Sequence, residues 1–115
     1  MKKFFITSIA AALFAVTVNA QTALKKVYNE EINPLEQIDQ AVAKAKSEGK
    51  FTICQVGGNW CIWCLRFADF ITKDADISNV ISENFEYIHV NYNPRKSQGQ
   101  EKLEQGKALM ARLKA

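Results

Sequence analysis

The chain contains no internal repeat, no low-complexity tract and no linker long enough to separate two domains. Its 115 residues are 48% hydrophobic and 23% charged, which is an ordinary composition for a globular protein. A chain of this length and composition has room for one hydrophobic core. We therefore predict a single domain.

The sequence also lacks a stripe of basic residues interleaved with aromatic ones. Its lysines and arginines are scattered and often stand beside acids, as in Lys73-Asp74 and Glu101-Lys102. Subtracting Lys2 and Lys3 from the 15 basic residues leaves 13 against 12 acidic residues beyond residue 20. Nucleic-acid binding would need a concentrated positive surface, so we expect no nucleic-acid partner.

No hydrophobic run is long enough to cross a bilayer. The uncharged run 4–18 is shorter than the roughly 20 residues of a spanning helix. It follows Lys2 and Lys3 and ends in Val18-Asn19-Ala20, a pattern typical of a cleaved secretory signal. We predict a signal peptide at 1–20, a mature domain at 21–115, a periplasmic or secreted location and no stable membrane insertion after cleavage. An uncleaved anchor is the alternative, and a lipoprotein is disfavoured because no cysteine lies near the cleavage point.

Hydrophobic periodicity and capping residues predict an alternation of helices and strands. Asn33 and Pro34 begin the first helix, and Gly49 stands where a left-handed cap would end it. Two strands separated by helical crossovers favour a parallel pair covered by helices, hence an α/β fold. The predicted helices are 34–48, 61–73, a short one within 74–81 and one from 97 onward, and the predicted strands are 51–56 and 85–92.

The cysteine motif Trp60-Cys61-Ile62-Trp63-Cys64 opens the second predicted helix. Residues three apart share a helix face, so the two thiols can approach closely enough to form a disulfide. A thiol at a helix N-terminus faces unpaired N–H groups and the positive end of the helix dipole, which favour the thiolate. The pattern indicates that Cys61 is a nucleophile and that Cys64 resolves the mixed disulfide it forms.

Together with the preceding strand, the Gly57-Gly58-Asn59 turn and the later strand, this motif resembles the thioredoxin-like superfamily. The similarity covers roughly 51–92, and the nearest subgroup is that of exported proteins with a Trp-Cys-x-Trp-Cys pattern. The resemblance implies a three-layer thioredoxin-like fold and thiol-disulfide oxidoreductase activity on protein thiols and disulfides, with no cofactor beyond the cysteines. It also implies that Cys61 attacks, that Cys64 resolves and that Trp60 flanks the site and contacts substrate.

The sequence departs from the family pattern in three ways. Gln55 stands where thioredoxin has a buried acid that moves a proton, and bulky Ile62 and Trp63 lie between the cysteines. The cis-proline loop, the following hairpin and the final helix of the family have no counterpart. We therefore expect only the N-terminal β-α-β half of the fold, in a domain incomplete at its C-terminus.

Other interpretations of the cysteines remain open. The pair Cys61 and Cys64 is also compatible with a structural disulfide, and a zinc site would have to recruit Cys54 and His89. Cys54, in the middle of an apolar strand, is expected to be a buried and inert thiol. A non-catalytic binding module of the same fold is the alternative to an enzyme.

Overall fold

The computed structural model describes residues 23–93 and 95–115, apart from the side chain of Lys96. Helices and strands follow one another in the predicted order, and the predicted signal at 1–20 lies outside the described residues. A 3-10 turn at Lys96–Gln98 precedes the last helix. The elements are α1 (Pro34–Ser47), β1 (Phe51–Gly57), α2 (Ile62–Lys73), α3 (Ala75–Asn84), β2 (Phe85–Asn91) and α4 (Gln100–Leu113).

Helix α1 begins and ends as its capping residues predict. The Asn33 side chain accepts a hydrogen bond from the Leu35 N–H at 2.9 Å, and Pro34 occupies the first helical position. Gly49 lies beyond the helix at φ +68°, the left-handed conformation that glycine adopts without steric cost. Both ends of the helix are therefore determined locally.

Strands β1 and β2 form a parallel pair in which Phe51 stands opposite Phe85 and Gly57 opposite Asn91. Because side chains alternate along a strand, the pair has two distinct faces. Cys54, Val56 and Ile88 pack with Val90 against α1 and α4. Tyr87 and His89 line a cavity with residues of α2 and α3. Helices therefore cover both faces, which confirms the α/β class: the described residues form a partial thioredoxin-like fold with three layers.

The centre of the core lies on the α1 side of the sheet. Val90 and Leu109 are fully buried there, and Ile38 of α1 is 4% exposed. Gly106, which weakens α4 by its low helix propensity, is buried, and a Cβ there would lie 3.1 Å from the Tyr92 ring. The glycine lets α4 approach the end of β2 closely.

Several helix boundaries differ by a few residues from the prediction: α1 ends at Ser47 and α3 extends to Asn84. Helix α2 begins at Ile62 because Cys61 has extended backbone angles and serves as the N-cap. Helix α4 begins at Gln100, later than expected, because Gly99 adopts φ +101°, which is not helical. Within residues 23–93 and 95–115, every helix is too short or too polar to cross a bilayer.

Candidate functional site

Cys61 and Cys64 form a disulfide at the N-terminus of α2, with their Cα atoms 5.2 Å apart. Cys61 is the N-cap residue, and its Sγ accepts a hydrogen bond from the Cys64 N–H at 3.2 Å. Both cysteines are partly exposed. The Cys61 sulfur therefore lies where a backbone donor and the positive end of the helix dipole both stabilise a negative charge.

The turn between β1 and α2 needs glycine because the site packs tightly against its backbone. A Cβ on Gly57 would lie 2.6 Å from the Cys64 Sγ, and one on Gly58 would overlap the Trp60 indole. Real Cβ atoms do not approach other atoms so closely. The two glycines thus allow the disulfide and the indole to lie directly on the end of the strand.

The Trp60 side chain is held beside the disulfide while remaining open to solvent. Its Nε1–H donates to the Tyr92 carbonyl oxygen at 3.0 Å, and the side chain is 44% exposed. The Arg95 guanidinium lies 5.9 Å from the ring centroid. Trp63 is more exposed, at 71%, with the Arg66 guanidinium 4.7 Å from its ring. An exposed aromatic surface therefore flanks the cysteine pair.

Two residues that were not predicted from the sequence also build the site. Asn59 accepts a hydrogen bond from the Tyr28 N–H at 3.1 Å and donates one to the Tyr28 carbonyl oxygen at 2.9 Å. This pair of bonds fastens the segment before α1 to the cysteine turn and buries the Tyr28 ring. Tyr28 lies in a polar segment with no periodic pattern, 31 positions from Asn59. No local sequence pattern therefore predicts that the two residues contact each other.

Gln55 connects the cysteine helix to β2. Its Nε2 donates to the Cys64 carbonyl oxygen at 3.1 Å, and its Oε1 accepts from the Tyr87 hydroxyl at 2.6 Å. An amide makes these bonds without carrying a charge. In the position where thioredoxin has an acid, this chain therefore has a neutral side chain that fixes the start of α2.

His89 lies between two tyrosine rings on the same face of the sheet. Its ring centroid is 5.3 Å from that of Tyr28 and 5.4 Å from that of Tyr87. Its Nε2 is buried and has no hydrogen-bond partner among residues 23–93 and 95–115. Burial lowers the pKa of His89, so the folded chain resists protonation of this ring.

This burial predicts an acid-sensitive stability. As pH falls below 6.5, the ordinary pKa of histidine, the unfolded chain binds a proton that folded His89 does not. The free energy of unfolding should therefore fall between about pH 7.5 and pH 5.5, by at most about 1.4 kcal/mol per pH unit. Urea unfolding of the unsubstituted chain and of His89→Gln at both pH values measures the effect. An equal pH dependence in the two proteins would contradict it.

Cys54 does not join the cysteine pair. It is partly exposed and unbonded, and its side chain lies on the sheet face that packs against α1 and α4. Burial raises the pKa of its thiol, and the Arg112 charge partly opposes this. His89 lies on the other face, so the structure does not bring these two residues together as a zinc site would require. Within residues 23–93 and 95–115, no three His, Cys, Asp or Glu side chains cluster in a way that would hold a metal ion.

Comparison with known proteins gives one informative similarity. The chain is 33% identical over 69 residues to the thiol:disulfide interchange protein DsbD of Colwellia psychrerythraea. The similarity covers 60% of this chain and 11% of DsbD, so the chain spans about a tenth of the length of the curated relative it matches. No protein-family model and no solved structure matches the chain. The similarity and the close cysteine pair together support a thioredoxin-like relationship and thiol-disulfide chemistry.

Proposed function

We propose that this protein is an exported thiol-disulfide oxidoreductase that exchanges disulfides with protein substrates. The observation that carries the proposal is the Cys61 sulfur at the N-cap of α2, bonded to Cys64 and bound by a backbone N–H. A structural disulfide needs no such position, whereas the position favours a reactive cysteine, because it stabilises the thiolate and only the thiolate attacks disulfides. The similarity to a protein named for thiol:disulfide interchange supports the same chemistry.

In the reducing direction, the Cys61 thiolate attacks one sulfur of a substrate disulfide. A bond forms between Cys61 and that sulfur, the substrate S–S bond breaks, and the second substrate sulfur leaves as a thiolate that takes up a proton. Cys64 then loses its proton and attacks the Cys61 sulfur, which releases the first substrate sulfur as a thiol. Two electrons pass from the Cys61/Cys64 dithiol to the substrate, and the reverse sequence oxidises a substrate dithiol.

Trp60 is proposed to contact the substrate chain as it approaches Cys61. Its hydrogen bond to the Tyr92 carbonyl oxygen fixes the ring. A substrate that packs on this rigid apolar surface therefore costs little side-chain entropy on binding. The predicted signal at 1–20 would deliver the domain to a compartment where substrate disulfides persist.

The experiment that tests the function is reduction of insulin disulfides by the mature chain with dithiothreitol as the electron source. We expect the chain to accelerate insulin precipitation well above the rate with dithiothreitol alone. The control is the same protein after reduction and alkylation of its cysteines, with circular dichroism to show that it remains folded. Equal precipitation rates with the free and the alkylated chain would contradict catalysis and favour a non-catalytic binding module.

A further inference from the structure

The Tyr28 hydroxyl is a buried polar group that the proposed exchange leaves without a role. The Tyr28 side chain belongs to the core, with the residue 4% exposed. Its hydroxyl makes no hydrogen bond of good geometry within residues 23–93 and 95–115, and the Gln55 side chain, which partly opposes the burial that raises the pKa of the phenol, can act on it only as a donor. A buried hydroxyl without a partner is costly, so such groups often mark a function.

The Tyr28 hydroxyl and the sulfur of the resolving cysteine both lie against Gly57. A Cβ placed on Gly57 would lie 2.8 Å from the Tyr28 hydroxyl oxygen and 2.6 Å from the Cys64 Sγ. Because Gly57 has no side chain, the phenol and the sulfur can both lie against its backbone. In the disulfide form the Cys64 sulfur is bonded to Cys61 and offers only a weak acceptor to the hydroxyl.

Tyr28 is held in this place by the two hydrogen bonds between its backbone and the Asn59 side chain, and by the His89 ring packed against its own. Burial raises the pKa of the phenol, and the nearby Gln55 amide only partly opposes this. The group therefore keeps its proton at neutral pH and is available as a donor.

We propose that Tyr28 donates a hydrogen bond to the Cys64 thiolate and stabilises it while it attacks the mixed disulfide. This inference rests on the proposed exchange reaction. It gives Tyr28 the role of stabilising the Cys64 thiolate, which Gln55, a neutral amide, cannot fill as an acid. Tyr28 keeps its own proton throughout. The proton that leaves Cys64 passes to water or to the departing substrate thiolate, so the balance of the reaction is unchanged.

The other polar groups described on β2 and α2 have other partners or are disfavoured as charged donors. On β2, the Tyr87 hydroxyl is already committed to Gln55, and burial disfavours the charged form of His89. On α2, the Arg66 guanidinium lies over the Trp63 ring, and Asp69 pairs with Lys73 at 3.1 Å. Tyr28 is thus the described donor whose hydroxyl lies against Gly57 beside the Cys64 sulfur and donates to no acceptor among the described residues.

The test is the pKa of Cys64 in a chain whose other cysteines are replaced, Cys54→Ser with Cys61→Ser. The rate of Cys64 alkylation by iodoacetamide is followed against pH by mass spectrometry. Adding Tyr28→Phe should raise the pKa of Cys64 by about one to two units, as expected for losing a hydrogen bond to a charged group. The matched control is Tyr87→Phe, which removes the hydroxyl that Gln55 already binds and should shift this pKa much less.

An unshifted Cys64 pKa in a Tyr28→Phe protein with an intact circular dichroism spectrum would overturn the proposal, as would equal shifts in the two variants. If Tyr28→Phe does not fold, the nuclear magnetic resonance shift of the Tyr28 Cζ carbon is followed in the same single-cysteine chain with Tyr28 intact. It should move in step with Cys64 ionisation, and a constant shift would refute the hydrogen bond. Neither readout needs a substrate, so an inactive chain in the insulin assay would count against the enzyme without deciding the role of Tyr28.

Discussion

Replacing Cys61 with serine should reduce insulin disulfide reduction to less than about one hundredth of the unsubstituted rate, because the attacking nucleophile is lost. A serine hydroxyl at the N-cap of α2 still accepts a hydrogen bond, so the helix keeps its cap and the fold should persist. The matched control is Cys54→Ser, which replaces the third cysteine outside the site and should retain most of the activity.

Cys64→Ser should give a different result from Cys61→Ser. Without the resolving thiol, the Cys61 mixed disulfide with substrate cannot close, so a covalent complex should accumulate and be visible on a non-reducing gel. Cys61→Ser should form little of this complex. If Cys61→Ser traps substrate and Cys64→Ser does not, the proposed roles of the two cysteines are reversed.

Leu109→Ala should lower the free energy of unfolding by about 3 kcal/mol, within the range found for buried leucines. Leu109 is fully buried and packs with Ile38 and Val90, so shortening it leaves a cavity between α4, α1 and the sheet. Urea unfolding followed by circular dichroism gives the value. The free energy of unfolding of a small domain is only a few kcal/mol, so a variant without a cooperative unfolding transition would also agree with the prediction.

The control for this prediction is Leu113→Ala, one helical turn further along α4. Leu113 is 37% exposed, so the same truncation should cost less than about 1 kcal/mol. Equal losses in the two variants would show that α4 does not pack on the core through Leu109.

Much of the fold could be predicted because its signals are local. Asn33, Pro34 and Gly49 act within one helical turn, so the ends of α1 follow from neighbouring residues alone. The strands could be recognised from β-branched runs, and their parallel pairing from the helices between them. The start of α4 was misplaced because the conformation of Gly99 is not encoded in hydrophobic periodicity.

The candidate site was only partly predictable, because only some of its contacts join residues that are close in sequence. Cys61 and Cys64 are three residues apart, and helix geometry alone brings their sulfurs together. Tyr28 and Asn59 meet across 31 positions, and Gln55 and Tyr87 across 32, in contacts that leave no periodic trace. The sequence showed at Gln55 only the absence of an acid, whereas in the structure the two ends of its amide bond to α2 and to β2.

By itself, the sequence determined the order of the elements, the α/β class and the placement of two cysteines at a helix start. Each of these depends on interactions between residues a few positions apart, whose geometry the backbone dictates. Only the tertiary structure decided that Cys54 and His89 lie on opposite faces of the sheet and that Tyr28 and the Cys64 sulfur both lie against Gly57. Those placements depend on strand register and on packing between distant segments, so they are set only when the domain folds.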